Sequence, residues 1–138
     1  MWGRSAERRH TNCMRRSSIL RVGLLLPTGF SVLSFAPIAV FETANRVSGE
    51  RFYDIHLVSE AGKRVANSLG RSMDTEPLEE RSYDTLLLGA ATEIVPPTPR
   101  TIGFLRDAAA TTRRVASICI GAFALAGAIL TILVIVLT

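Results

Sequence analysis

Apolar positions come in two rhythms along the chain, and their alternation sets out an order of elements. Val22-Gly23-Leu24-Leu25-Leu26 is an unbroken apolar run closed by Pro27-Thr28-Gly29, the signature of a short strand buried on both faces. Leu33, Ala36, Val40, Phe41, Ala44 and Val47 then recur at three- and four-residue spacing. This predicts a helix over about 34–48, with Pro37 in its first turn and Gly49 at its end. Phe52–Val58 alternates and predicts a second strand, in which His56 is a packed or edge histidine. Residues 63–66 and 68–73 suit a hairpin or loop, followed by a polar acidic turn through Glu80. Tyr83–Leu88 is a third core strand ending at Gly89. Pro96-Pro97-Thr98-Pro99 breaks the chain and supplies Thr98 as cap of a helix running to about Thr111, with Ile102, Phe104, Leu105 and Ala109 inward. Val115–Ile118 is a fourth strand.

Strand, helix, strand, connection, strand, helix, strand is the order of an α/β protein with a mostly parallel sheet. In such sheets ligands bind beyond the carboxyl ends of the strands. Pro27–Phe30, Gly89–Glu93 and Cys119–Gly121 all fall there, which makes Gly29, Phe30, Gly89, Ala90, Cys119, Ile120 and Gly121 the expected ligand-lining residues.

Composition narrows the chemistry. The 138 residues suffice for one domain with a core, and 48% apolar with 20% charged residues is globular. The net charge of +4 is concentrated in Arg4, Arg8, Arg9, Arg15, Arg16 and Arg21, set against Glu7, so the remaining chain sums to −1. Residues 1–18 therefore read as a basic disordered arm, and Arg21 interrupts any secretory signal. The arm's arginines could touch phosphate only non-specifically. Cys13 and Cys119 form no disulfide framework, and no Cys/His cluster holds a metal, which makes a reducing cytoplasm the default setting. Gly23 and Gly29 do not form a dinucleotide or phosphate-loop motif, so no cofactor is implied. Glu76, Glu79, Glu80 and Asp84 are expected to be a solvated acidic loop.

Five ordered blocks carry a family resemblance: Val22-Gly23-Leu24-Leu25-Leu26-Pro27-Thr28-Gly29-Phe30, Val40-Phe41-Glu42-Thr43-Ala44-Asn45-Arg46, Tyr83-Asp84-Thr85-Leu86-Leu87-Leu88-Gly89, Phe104-Leu105-Arg106 and Arg113–Phe123. The chain resembles the ThiJ/PfpI superfamily, related to class I glutamine amidotransferases, and within it the N-terminal domain of GlxA-type regulators of the AraC/XylS family. The resemblance implies a flavodoxin-like fold over residues 19–126. It also implies a strained strand-to-helix turn at Cys119, where enzymes of the superfamily carry their cysteine.

A nucleophile needs a base within reach. Ile120 stands where hydrolytic members place a histidine, and Ser34 stands near the glutamate of glyoxalase-like members. Cys119 is thus the sole catalytic candidate, without visible partners. The implied function is a non-enzymatic ligand-sensing and dimerisation domain of a transcription regulator. The alternative is a cysteine-dependent hydrolase or glyoxalase-like enzyme. A small ligand and self-association are the expected partners, with DNA only if a helix-turn-helix module exists elsewhere. The resemblance fades near Ala126, so the domain is expected to be incomplete at its C-terminus, with an unpaired apolar edge prone to association.

The terminal run leaves a choice open. Ile118 to Leu137 is uncharged, and twelve of its twenty positions are Ile, Leu, Val or Phe. At roughly −0.3 to −0.6 kcal/mol for each such residue, it could insert in a bilayer as a C-terminal anchor. The same run, divided, supplies a helix over 122–128 and a further buried strand over 132–136, leaving 127–138 as an apolar tail to the domain.

Overall fold

The computed structural model describes residues 18–79, 81–119 and 121–127. Among the described residues seven strands form in chain order: β1 (Leu20–Leu25), β2 (Tyr53–Ser59), β3 (Val65–Ala66), β4 (Ser72–Met73), β5 (Glu76–Pro77), β6 (Thr85–Leu88) and β7 (Arg114–Ser117). Two helices, α1 (Ala36–Ser48) and α2 (Pro99–Thr111), lie between them, and residues 121–127 are helical. A five-stranded sheet has the order β5-β2-β1-β6-β7, every pair parallel, while β3 and β4 make a small antiparallel ribbon. This is a flavodoxin-like α/β sheet.

Period-two alternation in β1 divides the core between the two faces of the sheet. Val22, Leu24 and Leu26 pack with Phe30, Ile38, Val65 and Leu87 on the α1 side. Leu25 packs with Val58, Leu78, Tyr83, Leu86, Leu88, Leu105 and Ala108 on the α2 side. Each fully buried Leu in these clusters stabilises the fold by about 1.5–3 kcal/mol relative to exposure. β1 needs apolar residues on both faces because it lies mid-sheet, and its unbroken run supplies them.

Capping fixes the helices where the residues predict. Thr98 accepts the Thr101 N–H with Pro99 just inside α2, and Gly49 ends α1 in a left-handed conformation at φ 69°. Before α1 the chain makes a 3-10 turn, Val32–Phe35, capped by Ser31, so the regular helix starts at Ala36.

Two sequence expectations need correction here. The inward face of α1 is built on buried Ile38 with half-buried Phe41, Ala44 and Asn45, whereas Val40 is 67% and Val47 82% exposed, and Leu33 in the preceding turn is 52% exposed. Asn45 turns inward because β2 needs it: Oδ1 accepts the Phe52 and Tyr53 N–H groups, and Nδ2 donates to the Tyr53 carbonyl. The acidic stretch is also structured. Glu76 lies in β5 beside β2, and Asp84 Oδ2 accepts the Arg21 N–H at 2.7 Å.

Candidate functional site

The sheet order reverses beside β1, whose chain leads to β2 on one side while β6 pairs on the other. Such a reversal opens a crevice at the carboxyl ends of the strands. The turn after β1 enters it through Gly29, at φ 73°. Phe30 is fully buried and bridges Asn67 and Ala91. Beyond β6, Gly89 and Ala90 are buried as well. Beyond β7, the Ile118 N–H still donates to the Leu88 carbonyl at 2.9 Å, after which Cys119 turns the chain at φ 50°. A non-glycine residue at positive φ is strained backbone. The Gly121 N–H closes the turn on the Ile118 carbonyl at 3.0 Å, and the helical residues 121–127 begin.

Three backbones meet at this corner with no room between them. A Cβ at Gly121 would lie 2.9 Å from the carbonyl oxygens of both Leu88 and Gly89, and one at Gly89 would lie 3.0 Å from the Leu25 carbonyl oxygen and from Ser34 Oγ. Ser34 is fully buried and serves Ala90 alone: its Oγ donates to the Ala90 carbonyl at 3.2 Å and accepts the Ala90 N–H at 2.9 Å. The hydroxyl therefore ties the entry of α1 to the end of β6 and is spent on that task.

Of the expected ligand-lining residues, Gly29, Phe30, Gly89, Ala90, Cys119 and Gly121 lie on the loops at this end of the sheet, and Ile120 falls outside the described residues. Phe30 and Ala90 contribute their side chains to the interior, while the Cys119 thiol is exposed. Among the described residues no histidine or carboxylate is hydrogen-bonded to it. His56 stands in β2, separated from β7 by β1 and β6, which is roughly 14 Å across the sheet at the usual strand spacing. His10 lies outside the described residues.

Both ring nitrogens of His56 are engaged elsewhere. Nδ1 is 3.0 Å from Glu76 Oε1 and Nε2 is 2.9 Å from Asp54 Oδ2. Arg81 Nε donates to the other Glu76 oxygen at 3.0 Å, and Arg51 pairs with Asp54. The hydrogen bond from His56 is the main cause holding the carboxyls of both Asp54 and Glu76 below their ordinary range, opposed by partial burial and assisted by the two arginines. Sequence reasoning missed this cluster. The Asp54-x-His56 spacing in an alternating strand places both side chains on one face, so half of it was available. Nothing local points to Glu76, twenty residues away. Among the described residues no group of His, Cys, Asp and Glu side chains could hold a metal ion.

A continuous membrane helix from Ile118 to Leu137 does not form. Ile118 is hydrogen-bonded to Leu88 and Cys119 is a turn, so the first residues of that run belong to the sheet corner. Among the described residues no helix is long and apolar enough to cross a membrane. Residues 128–138, including the expected strand over 132–136, fall outside the description.

Comparison with known proteins agrees with the fold. No protein-family model matches the chain. A Streptomyces lividans protein, described as an uncharacterized protein in the cpoL 5′ region, is 34% identical over 113 residues, covering 78% of this chain and 79% of its own. The chain belongs to the same family as that protein. The crystal structure of an AraC family transcriptional regulator from Pseudomonas putida superposes with a TM-score of 0.69 at 25% identity, covering 78% of this chain and 69% of the regulator. The chain has the fold of a ThiJ/PfpI domain. A ThiJ/PfpI family protein from Pseudomonas syringae shares the fold at a TM-score of 0.65 and 17% identity, over 91% of this domain and 52% of its own length. The corner at Cys119 is thus a strand-to-helix turn in a fold shared with these structures.

Proposed function

We propose that this ThiJ/PfpI domain is a non-enzymatic, ligand-sensing and dimerising module of an AraC-type transcriptional regulator. It works in the cytoplasm and takes a small ligand at the carboxyl ends of β1, β6 and β7. The observation that carries this reading is the isolation of the Cys119 thiol among the described residues: the turn is present, but His56 is held by Asp54 and Glu76, and Ser34 is held by Ala90. A thiol with no base to take its proton and no acid to serve a leaving group is a poor nucleophilic catalyst. The likeness to the Pseudomonas putida regulator supports the regulatory setting. Leu33, Val40 and Val47, seven residues apart and exposed, supply an apolar strip suited to self-association. DNA reading would fall to a separate helix-turn-helix module.

The positive φ at Cys119 favours a second reading, a cysteine-dependent hydrolase or glyoxalase-like enzyme, because the same turn presents a nucleophile. One experiment separates the two. The purified domain and its Cys119→Ala variant are incubated with methylglyoxal and, separately, with amide substrates. The expected result is no turnover above buffer by either protein. Turnover by the parent that disappears in Cys119→Ala would overturn the non-enzymatic reading and establish the second.

A further inference from the structure

The edge strand β5 is attached to the sheet by unusually little backbone. It is two residues long, pairing Glu76 with Val58 and Pro77 with Ser59, and Pro77 has no N–H to give to a ladder. Side chains supply the rest of the attachment. The hydroxyls of Ser59 and Thr75 are bonded to one another, and Glu76 reaches back to His56.

The contacts of His56 set a proton requirement. An ionised carboxylate only accepts hydrogen bonds, while a neutral imidazole has one donor and one acceptor. Only the imidazolium has a proton to give to Asp54 on β2 and another to give to Glu76 on β5. The neutral ring must turn a lone pair toward one carboxylate. Water has little access to relieve that clash, since the His56 side chain is only 10% exposed. The groups facing the ring are Asp54 from its own strand, Glu76 from β5, and the Tyr83 ring from the segment leading into β6, 6.0 Å away between centroids. Behind the carboxylates stand Arg51 and Arg81. The sequence Arg51, Asp54, His56, Glu76, Arg81 alternates in charge only when His56 carries its proton.

We propose that His56 is a proton-controlled latch on β5: protonated, it ties Glu76 to Asp54 across the β2–β5 pair, and when its proton leaves to water it releases Glu76 and loosens that end of β5, while Leu78 stays anchored in the core. Glu76 is the side that yields, because Arg81 already holds its second oxygen, whereas Asp54 lies within the continuous β1–β2 ladder. The rest of the sheet stays closed, since β1, β2 and β6 are joined by continuous ladders through the core.

Amide hydrogen exchange of the whole chain tests this across about pH 5 to 8, the range in which histidines change charge. Each rate is divided by the unstructured-chain rate at the same pH. Protection at Glu76 is expected to fall by about tenfold toward the alkaline end, the loss of one charge-assisted hydrogen bond, while Leu78, Leu24 and Leu87 keep theirs. His56→Gln should abolish the pH step. A step that persists in that variant, or flat protection at Glu76 in the parent, overturns the latch. Should His56→Gln fail to fold, the ring nitrogen shifts of His56 are followed by NMR in a His10→Gln background. Their titration must coincide with the exchange step, and two separate midpoints would overturn the proposal equally.

Discussion

The two sides of the sheet are held by opposite means. At the corner where β1, β6 and β7 end, main chain rests on main chain: Gly89 against Leu25, Gly121 against Leu88 and Gly89, with the buried Ser34 hydroxyl closing the gap to α1. At the β2–β5 edge, five charged or chargeable side chains do the holding around two residues of strand. The neutral corner has a geometry fixed by contact and no spare volume, so it tolerates no added atoms and is indifferent to pH. The ionic edge is packed too, with Pro77 against the Gly62 backbone and Leu78 in the core, but its charges answer to the protons in solution.

The largest expected effect tests the claim of close contact at the corner. Gly121→Val forces a side chain against two carbonyl oxygens and should lower stability by about 3 kcal/mol in urea unfolding. Gly103→Ala is its matched control, because α2 leaves open space there, and it should stabilise by about 0.5–1 kcal/mol. Equal, small effects from both would show that the corner is loose. Next in size, Ser34→Ala leaves the Ala90 N–H without its partner in a dry site, the carbonyl keeping the Ser31 N–H, and should cost about 2 kcal/mol, with no dependence on pH. A pH-dependent cost would blur the distinction between the two regions.

The smallest effect sharpens the other half of the comparison. Asp54 and Glu76 have their carboxyls held low by His56, so in the folded state they contribute stability that is fully present above the ordinary carboxylate range. That contribution is lost as pH falls through the depressed folded values. Urea midpoints measured from pH 6 down to pH 3 should therefore decline less steeply in His56→Gln than in the parent. Identical slopes would show that the edge cluster makes no net ionic contribution.

Much of the fold was legible because its signals are local. The unbroken run of β1, the left-handed Gly49 after α1, and the Thr98-Pro99 start of α2 each state their structure within a few residues. The turn at Cys119 was placed by resemblance, and the strained φ is what the geometry adds. What escaped was non-local. Apolar periodicity assigned Val40 and Val47 to the interior of α1 because it could not count Asn45, a polar residue that is inward only because β2 begins beside it. β5 was hidden for a like reason: Glu76-Pro77 reads as a turn, and only pairing with Val58 and Ser59 makes it a strand. His56 showed its alternation but not its partner, which arrives from a different segment of the chain.

Asn45 has a consequence for the order in which the molecule assembles. Its bonds to Phe52 and Tyr53 close loops of seven and eight residues, whereas the pairing of Val22 with Thr85 joins residues 63 apart. Closure entropy rises by about 0.6 kcal/mol for each doubling of length, so the Asn45 contact is the less costly by about 2 kcal/mol. The turn from α1 into β2 thereby sets the alignment of β2 on β1 early and from within. β6 and β7 are then added to a strand pair whose register is already decided.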